Sequence, residues 1–395
     1  MHVLFISSDI YDPDSIEMSG IFQKQFSSIL INNGYKVGLI SSGVLPYFYT
    51  GTITSGFSCS TENNLNVVRS FSKFFFPARF LLSFPSIFLY KKFNRAFQYY
   101  VNTFGLPELI HCQNSLFAGF YALTLRRKGI NIPTIITEHS SMYSRNLITR
   151  RDFDRVKSVI EFADIFTVVS NSQRITFEDL FDFKKSFVLN NQIDPLFETN
   201  NVKPKKDNPE NFVFITVGNL DNNKNQKIIL IALRKLIPFN KNIFLKIIGD
   251  GPCLAELKKM VIDFNLEKHV IFFKKLGRID LLNEMNNSNA LIVSSNVETF
   301  GVVALEGLFL GLPCISTQCG GTSEFLNDNN SIMIDVNDPL GLSEAMNFMY
   351  SNFEKFDQEL IKKDVLQNFG LNTFLSRVNE YYNKTKLNFI SKHLA

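Results

Sequence analysis

The sequence predicts an α/β protein made of two doubly wound, parallel-sheet domains. Three observations predict it. Short apolar runs alternate with stretches of helical periodicity along nearly the whole chain. A polar segment with two prolines, residues 199–211, divides that alternation into two series. The chain has 395 residues, too many for one compact core. Two Rossmann-like domains follow, with a deep cleft between them as the favoured place for ligands. The expected limits are 1–200 for the first domain, 201–211 for the linker, 212–370 for the second domain and 371–395 for a last helix.

In the first series Val3–Ser7 reads as a strand, followed by a loop, a helix over Gly20–Asn33 and a strand at Val37–Ser41. This is a βαβ opening without the G-x-G-x-x-G dinucleotide fingerprint. Gly20, at the helix start, leaves room for the backbone to approach a ligand. Further strands fit Asn66–Arg69, Leu109–Cys112, Thr134–Thr137, Ile165–Val169 and Phe187–Leu189. In open α/β sheets the ligand lies beyond the strand C-termini, which singles out Glu138 and His139 and, more weakly, Arg145. In the second series strands fit Phe212–Val217, Phe244–Ile248, Val270–Phe273, Ala290–Val293, Cys314–Thr317 and Ile332–Ile334. Helices are expected from about Lys224, Pro252 and Asp280, and over Phe300–Leu310 and Asn372–Lys384.

Composition excludes several classes. With 45% hydrophobic and 20% charged residues the chain is globular, not disordered. A net charge of +4 gives no argument for nucleic acid. Five cysteines without a C-x-x-C pair favour a reducing cytosol over a disulfide framework or a zinc site. The opening residues hold too short an apolar core for a signal peptide, and no apolar run is long enough to span a bilayer. Residues 63–107 contain no acid before Glu108 but interleave Arg69, Lys73, Arg79, Lys91, Lys92 and Arg95 with many Phe and Tyr. Such a basic aromatic face suits an anionic membrane surface; the alternative is that the rings are core and the cations a solvated rim.

The chemistry concentrates in Ser294–Gly321, SSNVETFGVVALEGLFLGLPCISTQCGG. Glu298 precedes a helix for which Thr299 is the expected N-cap, and Glu306 lies within it among Val303, Ala304, Leu308 and Phe309. A carboxylate on so apolar a helix needs a partner. The N–H groups of Phe300 and Gly301, at the positive end of the helix dipole, form a phosphate-binding place. Carboxylates on either side of it suit a sugar nucleotide, whose two polyol ends flank a diphosphate.

This stretch resembles the E-x7-E element of the retaining glycosyltransferases of family 4, as do Gly311-Leu312-Pro313 and Cys319-Gly320-Gly321. VGNLDNNKNQ, Val217–Gln226, resembles the family's first donor-domain loop, and Gly249-Asp250-Gly251-Pro252 its G-x-G-P turn near the base. Glu138-His139-Ser140 resembles the segment of the family's site histidine. NNQIDPLF, Asn190–Phe197, resembles its N-G-V-D-x-x-F turn, with Gln192 replacing the glycine. Where the family has an arginine after Gly218, this chain has Asn219.

The resemblance implies a GT-B fold and a transferase that moves a sugar from a nucleotide donor to a hydroxyl without a metal or other cofactor. Glu298 would hold hydroxyls of the moving sugar, Glu306 the ribose, Lys224, Phe300 and Gly301 the diphosphate. His139 would steady the sugar, and Asn191 and Asp194 would be structural. The expected acceptor is a saccharide or lipid-linked saccharide of surface-polysaccharide synthesis, reached from the cytoplasm, peripherally at the inner face of the plasma membrane. The alternatives are a nucleotide-sugar-binding regulator without turnover and a nonhydrolysing sugar-nucleotide epimerase.

Overall fold

The computed structural model describes residues 1–12, 20–45, 49, 52–73, 86–201 and 211–394. Most of the expected linker lies outside them, as does the part of the basic aromatic stretch from 74 to 85. The chain divides into two compact units. One comprises Met1–Val169, Arg174–Gln192 and Leu375–Ala395; the other comprises Ser170–Gln173 and Ile193–Phe374. Among the described residues no helix is long and apolar enough to cross a membrane.

The first unit is built on an eight-stranded sheet of order β3-β4-β2-β1-β5-β6-β7-β8. Its strands are β1 (His2–Ser7), β2 (Lys36–Leu45), β3 (Gly56–Glu62), β4 (Leu65–Lys73), β5 (Leu109–Gln113), β6 (Thr134–Glu138), β7 (Ile165–Val168) and β8 (Ser186–Val188). All pairs are parallel except β3 with β4. That pair is a hairpin turning on Asn63 and Asn64, both at positive φ, as a two-residue turn matched to strand twist requires. The chain winds outward from β1 through β2, then returns to β5 on the other side of β1. The strand order therefore reverses between β1 and β5, where a crevice opens at the strand C-termini.

Among the described residues, most rings of the basic aromatic stretch point inward. Helix α1 (Ile21–Asn32) is followed by α2 (Ser86–Phe104), on which Tyr90, Phe93, Phe97 and Tyr100 are buried, and Phe71 on β4 is fully buried. Phe93 stacks on Tyr121 with ring centroids 4.5 Å apart. Each buried ring contributes about 1.5–3 kcal/mol. Arg69 is buried too, held by the Tyr11 carbonyl, Ser60 and Glu62. The expected aromatic face is thus largely core, because helical periodicity places 93, 97 and 100 on the side facing the sheet. Phe88, Lys91, Arg95 and Tyr99 form the exposed stripe that remains.

The second unit is a six-stranded, all-parallel sheet of order β11-β10-β9-β12-β13-β14. Its strands are β9 (Phe212–Val217), β10 (Ile243–Ile248), β11 (Val270–Phe273), β12 (Ala290–Val293), β13 (Cys314–Thr317) and β14 (Ser331–Ile334). The order reverses between β9 and β12, so the loops after these two strands border the crevice. Both loops carry the residues that the sequence singles out.

Candidate functional site

The loop after β12 is fastened on three sides. Ser294 Oγ donates to the Lys224 carbonyl at 2.7 Å and the Asn296 N–H to the Asn223 carbonyl at 2.7 Å. The Glu298 N–H donates to Cys319, and the Gly321 N–H donates back to the Glu298 carbonyl at 2.8 Å. The Gly320-Gly321 pair permits this approach, since a Cβ on Gly321 would lie 2.1 Å from the Thr299 carbonyl oxygen. Glu298 is thereby aimed at the loop after β9. Its Oε1 accepts from Lys224 Nζ at 2.5 Å and from Ser295 Oγ at 2.6 Å. Neither bond uses Oε2.

Lys224 itself is set by Asp221, whose carboxylate takes the N–H groups of Asn223 and Lys224, each at 2.9 Å. This turn and Asn225 at φ 50 delay the helix to α7 (Lys227–Leu236), three residues beyond its expected start. Gly218 lies beside the Lys224 stem, and Gly249 packs against the Gly218 carbonyl. Asn219 is exposed, its carbonyl accepting from Gln226. The structure thus brings Gly218, Lys224, Gly249 and Glu298 together.

After β12 the helix is α10 (Val302–Phe309), capped by Gly301 at φ 86 rather than by Thr299. Phe300 precedes it as a buried ring against Phe325 and Phe369, and the helix starts two residues after the expected Phe300. The N–H groups of Gly301, Val302 and Val303 find no acceptor among the described residues. They form the open positive end of the helix.

Glu306, one turn further on, is 2% exposed. Its partner is Arg278, the first residue of α9 (Arg278–Asn286), which also bonds Asp194 through Nε at 3.0 Å and lies 4.5 Å over the Phe197 ring. Burial pushes the Glu306 carboxyl up, and Arg278 draws it back only in part. Oε1 meets Arg278, whereas the buried Oε2 has no hydrogen-bond partner among the described residues. The sequence announces that Glu306 needs a partner but not which one, because Arg278 is distant along the chain and looks like an ordinary helix-start cation.

In the first unit, His139 follows β6 beside the end of β5. Its Nδ1 lies 2.8 Å from Asn191 Oδ1 and its Nε2 lies 2.7 Å from Gln113 Oε1. The ring lies nearly parallel to that of Phe22. Asn114, at φ 76 and ψ 146, accepts the His139 N–H on its side chain. Fully buried Glu138 takes the N–H groups of Ser115 and Ser140, each at 2.8 Å. His139 is therefore gripped from β5, β6 and the segment after β8. Gly20 caps α1 at φ 78, and Arg145 lies exposed on the turn after His139. Gln113 and Asn114 went unread in the sequence; their position at a strand end beside the order reversal is the available signal.

Burial pushes His139 down to about 4. The unfolded chain, with an ordinary imidazole, then binds a proton that the folded one refuses, so stability falls as pH drops from about 6.5 toward 4. The loss expected at the lower limit is about 2–3 kcal/mol. In urea titrations across this window, His139→Gln should show a shallower acid loss than wild type; equal slopes would contradict the assignment.

Comparison with known proteins agrees with this geometry. Residues 197–364 match the family model of glycosyl transferases group 1, and residues 25–195 that of glycosyltransferase family 4. An N-acetyl-alpha-D-glucosaminyl L-malate synthase of Bacillus anthracis is 27% identical over 192 residues, 47% of this chain and 50% of its own length. A sucrose-phosphate synthase from Thermosynechococcus elongatus superposes with a TM-score of 0.78 at 18% identity, over 97% of this chain and 99% of its own. An Anabaena protein in complex with UDP does so with a TM-score of 0.73 at 16% identity, over 97% and 100%. The chain belongs to the group 1 glycosyltransferases and has the GT-B fold. It spans about half the length of the curated relatives it matches.

Proposed function

We propose that the chain is a retaining glycosyltransferase that moves a hexosyl or related sugar from a nucleotide donor to a hydroxyl of a saccharide or lipid-linked saccharide. The observation that carries this reading is Glu306 Oε2, a buried carboxylate oxygen with no donor among the described residues. Such an oxygen is costly unless a ligand supplies the missing hydrogen, and a ribose hydroxyl does so. The diphosphate then meets the N–H groups of Phe300–Val303 and Lys224, which need no metal to offset its charge. Glu298 Oε2 takes the hydroxyls of the moving sugar. His139 steadies that sugar, Gly20 and Arg145 serve the acceptor side, and Gly218, Asn219 and Gly249 line the donor loops.

The UDP complex of the Anabaena protein, which shares the fold, favours a nucleotide donor. For a lipid-linked acceptor in surface-polysaccharide synthesis, the stripe of Phe88, Lys91, Arg95 and Tyr99 provides a face for anionic headgroups. The test is a panel of nucleotide sugars. Slow hydrolysis of one donor supports a transferase; interconversion of sugars supports an epimerase, and binding without turnover a regulator. In the same series Glu306→Ala should lose about tenfold or more in affinity for the free nucleoside diphosphate, one charge-assisted hydrogen bond. Calorimetry showing unchanged affinity in the folded variant would remove the ribose assignment.

A further inference from the structure

Glu306 is a carboxylate that its surroundings oppose. It sits on α10 among Ala304, Leu305, Leu308 and Phe309, all buried, and burial favours its neutral form. A protonated Glu306 would keep one oxygen on Arg278 but would lose acceptor strength toward a ligand. The charges that act on it are Arg278 and, in the opposite sense, Asp194. Of the other titratable groups on the packed elements, Glu359, Lys363 and Asp364 lie exposed and are not among the charges that act on Glu306, and the rest are engaged elsewhere or neutral. Glu198 of α6 (Pro195–Glu198) takes the Leu371 N–H, Lys362 of α12 (Gln358–Phe369) bonds the Asn200 carbonyl, and the Cys314 thiol of β13 is held neutral by burial. Among the described residues, the electrostatic state of Glu306 therefore depends on a single cation.

Arg278 is built into place from three directions. Asp194 caps α6 through the Leu196 N–H with one carboxylate oxygen and holds Arg278 Nε with the other. The Phe197 ring lies under the guanidinium plane, and Glu306 takes a terminal nitrogen. The guanidinium is partly buried, which works against its charge, but Glu306 and Asp194 more than offset this and raise it. A planar fork on a ring, with one edge on each carboxylate, is an arrangement that lysine does not reproduce. Asp194 and Phe197 belong to the same short segment as Asn191, which grips His139 within the first unit.

We infer that Arg278, oriented by Asp194 and Phe197, is the positioning residue that keeps Glu306 ionised and turns its free oxygen, Oε2, toward the nucleotide. This rests on the ribose assignment of Glu306 made above. Arg278 touches no substrate in this scheme; it acts through Glu306. The signature that a merely structural role would not produce is a pH dependence of nucleotide affinity. Wild-type affinity should be flat from neutral to mildly alkaline pH. Without the guanidinium, Glu306 holds its proton to higher pH, and affinity should rise as it ionises.

The probe is the nucleoside diphosphate that wild type binds most tightly among UDP, GDP, ADP, CDP and TDP, followed by calorimetry across a pH series. Arg278→Gln removes the charge and leaves a shorter, neutral amide donor. It should lose about tenfold in affinity at neutral pH and regain most of it toward alkaline pH. Arg278→Lys keeps the charge and should restore a flat profile at a reduced affinity. A flat profile at wild-type affinity in Arg278→Gln overturns the inference, as does a profile in Arg278→Lys as steep as that of the glutamine variant. Glu306→Gln separates the two levels of the argument. If it binds the diphosphate like wild type, the ribose assignment itself fails. If it binds weakly while Arg278→Gln is unaffected, only the role of Arg278 falls. Should Arg278→Gln fail to fold, the lysine profile decides: it must stay flat, and a slope refutes the positioning role.

Discussion

Glu298→Gln should lower turnover by about 10²-fold or more and leave nucleoside diphosphate affinity intact, the size of effect seen when one electrostatic stabiliser is removed. In the proposed reaction, positive charge builds on the sugar ring as its bond to the diphosphate breaks. A carboxylate beside the ring stabilises that charge, and an amide of equal shape does not. The substitution retains the hydrogen-bonding outline, because Gln Oε1 still accepts from Ser295 Oγ and Lys224 Nζ. What it removes is the charge that now binds Lys224, so the ammonium becomes freer for the diphosphate. Affinity should hold or rise slightly while the rate collapses, the pattern of an interaction made mainly in the transition state. Single-turnover kinetics on the donor found in the panel, set beside calorimetry with its diphosphate, reads both. Wild-type turnover in the variant would reduce Glu298 to an anchor for Lys224 and remove it from catalysis.

The second unit was the more legible in sequence, and the reason is its regularity. Each of its strands is a short apolar run ended by glycine or polar residues, so Phe212–Val217, Val270–Phe273, Ala290–Val293 and Cys314–Thr317 coincide with β9, β11, β12 and β13. Helix starts were less legible because side chains set them locally. Asp221 holds a turn that postpones α7, Gly301 replaces Thr299 as the cap of α10, and Gly277 starts α9 two residues ahead of Asp280. In the first unit β3 was missed, although Asn63-Asn64 is a good turn pair. Its residues are mostly exposed and polar, so the apolar pattern that reveals a core strand is weak there.

The candidate site divides in the same way. The spacing of Glu298 and Glu306 around a glycine-capped helix start is local and readable. The contacts that fix their charge come from Lys224 and Arg278, contributed by other loops of the same sheet. Periodicity gives the direction of a side chain on its own element and says little about what another element presents to it. The basic aromatic stretch shows the converse. Composition alone left its rings open between a membrane face and core, and the helix phase of α2 sends most of those it carries into the core.

Gly249→Ala should destabilise the second unit by about 3–5 kcal/mol, one of the larger single-residue losses available in the chain. Gly249 ends β10 at φ 149, a backbone conformation that alanine adopts only under strain. A Cβ there would also lie 1.9 Å from the Gly218 carbonyl oxygen, well inside contact distance. Relief by backbone movement is blocked on both sides. The Gly218 N–H donates to the Ile248 carbonyl at 3.0 Å, and the Gly249 N–H donates to the Phe273 carbonyl at 3.1 Å, which ties the ends of β9, β10 and β11 together. Whatever shift does occur starts at Gly218, which lies beside the Lys224 stem, and so reaches the Lys224–Glu298 pair. Urea denaturation should therefore show a lower midpoint with an unchanged slope for the transition of this unit, and the variant should bind the nucleoside diphosphate more weakly. A loss below about 1 kcal/mol would mean that the strand ends yield without cost, contrary to the close approach that leaves no space for a methyl group at this position.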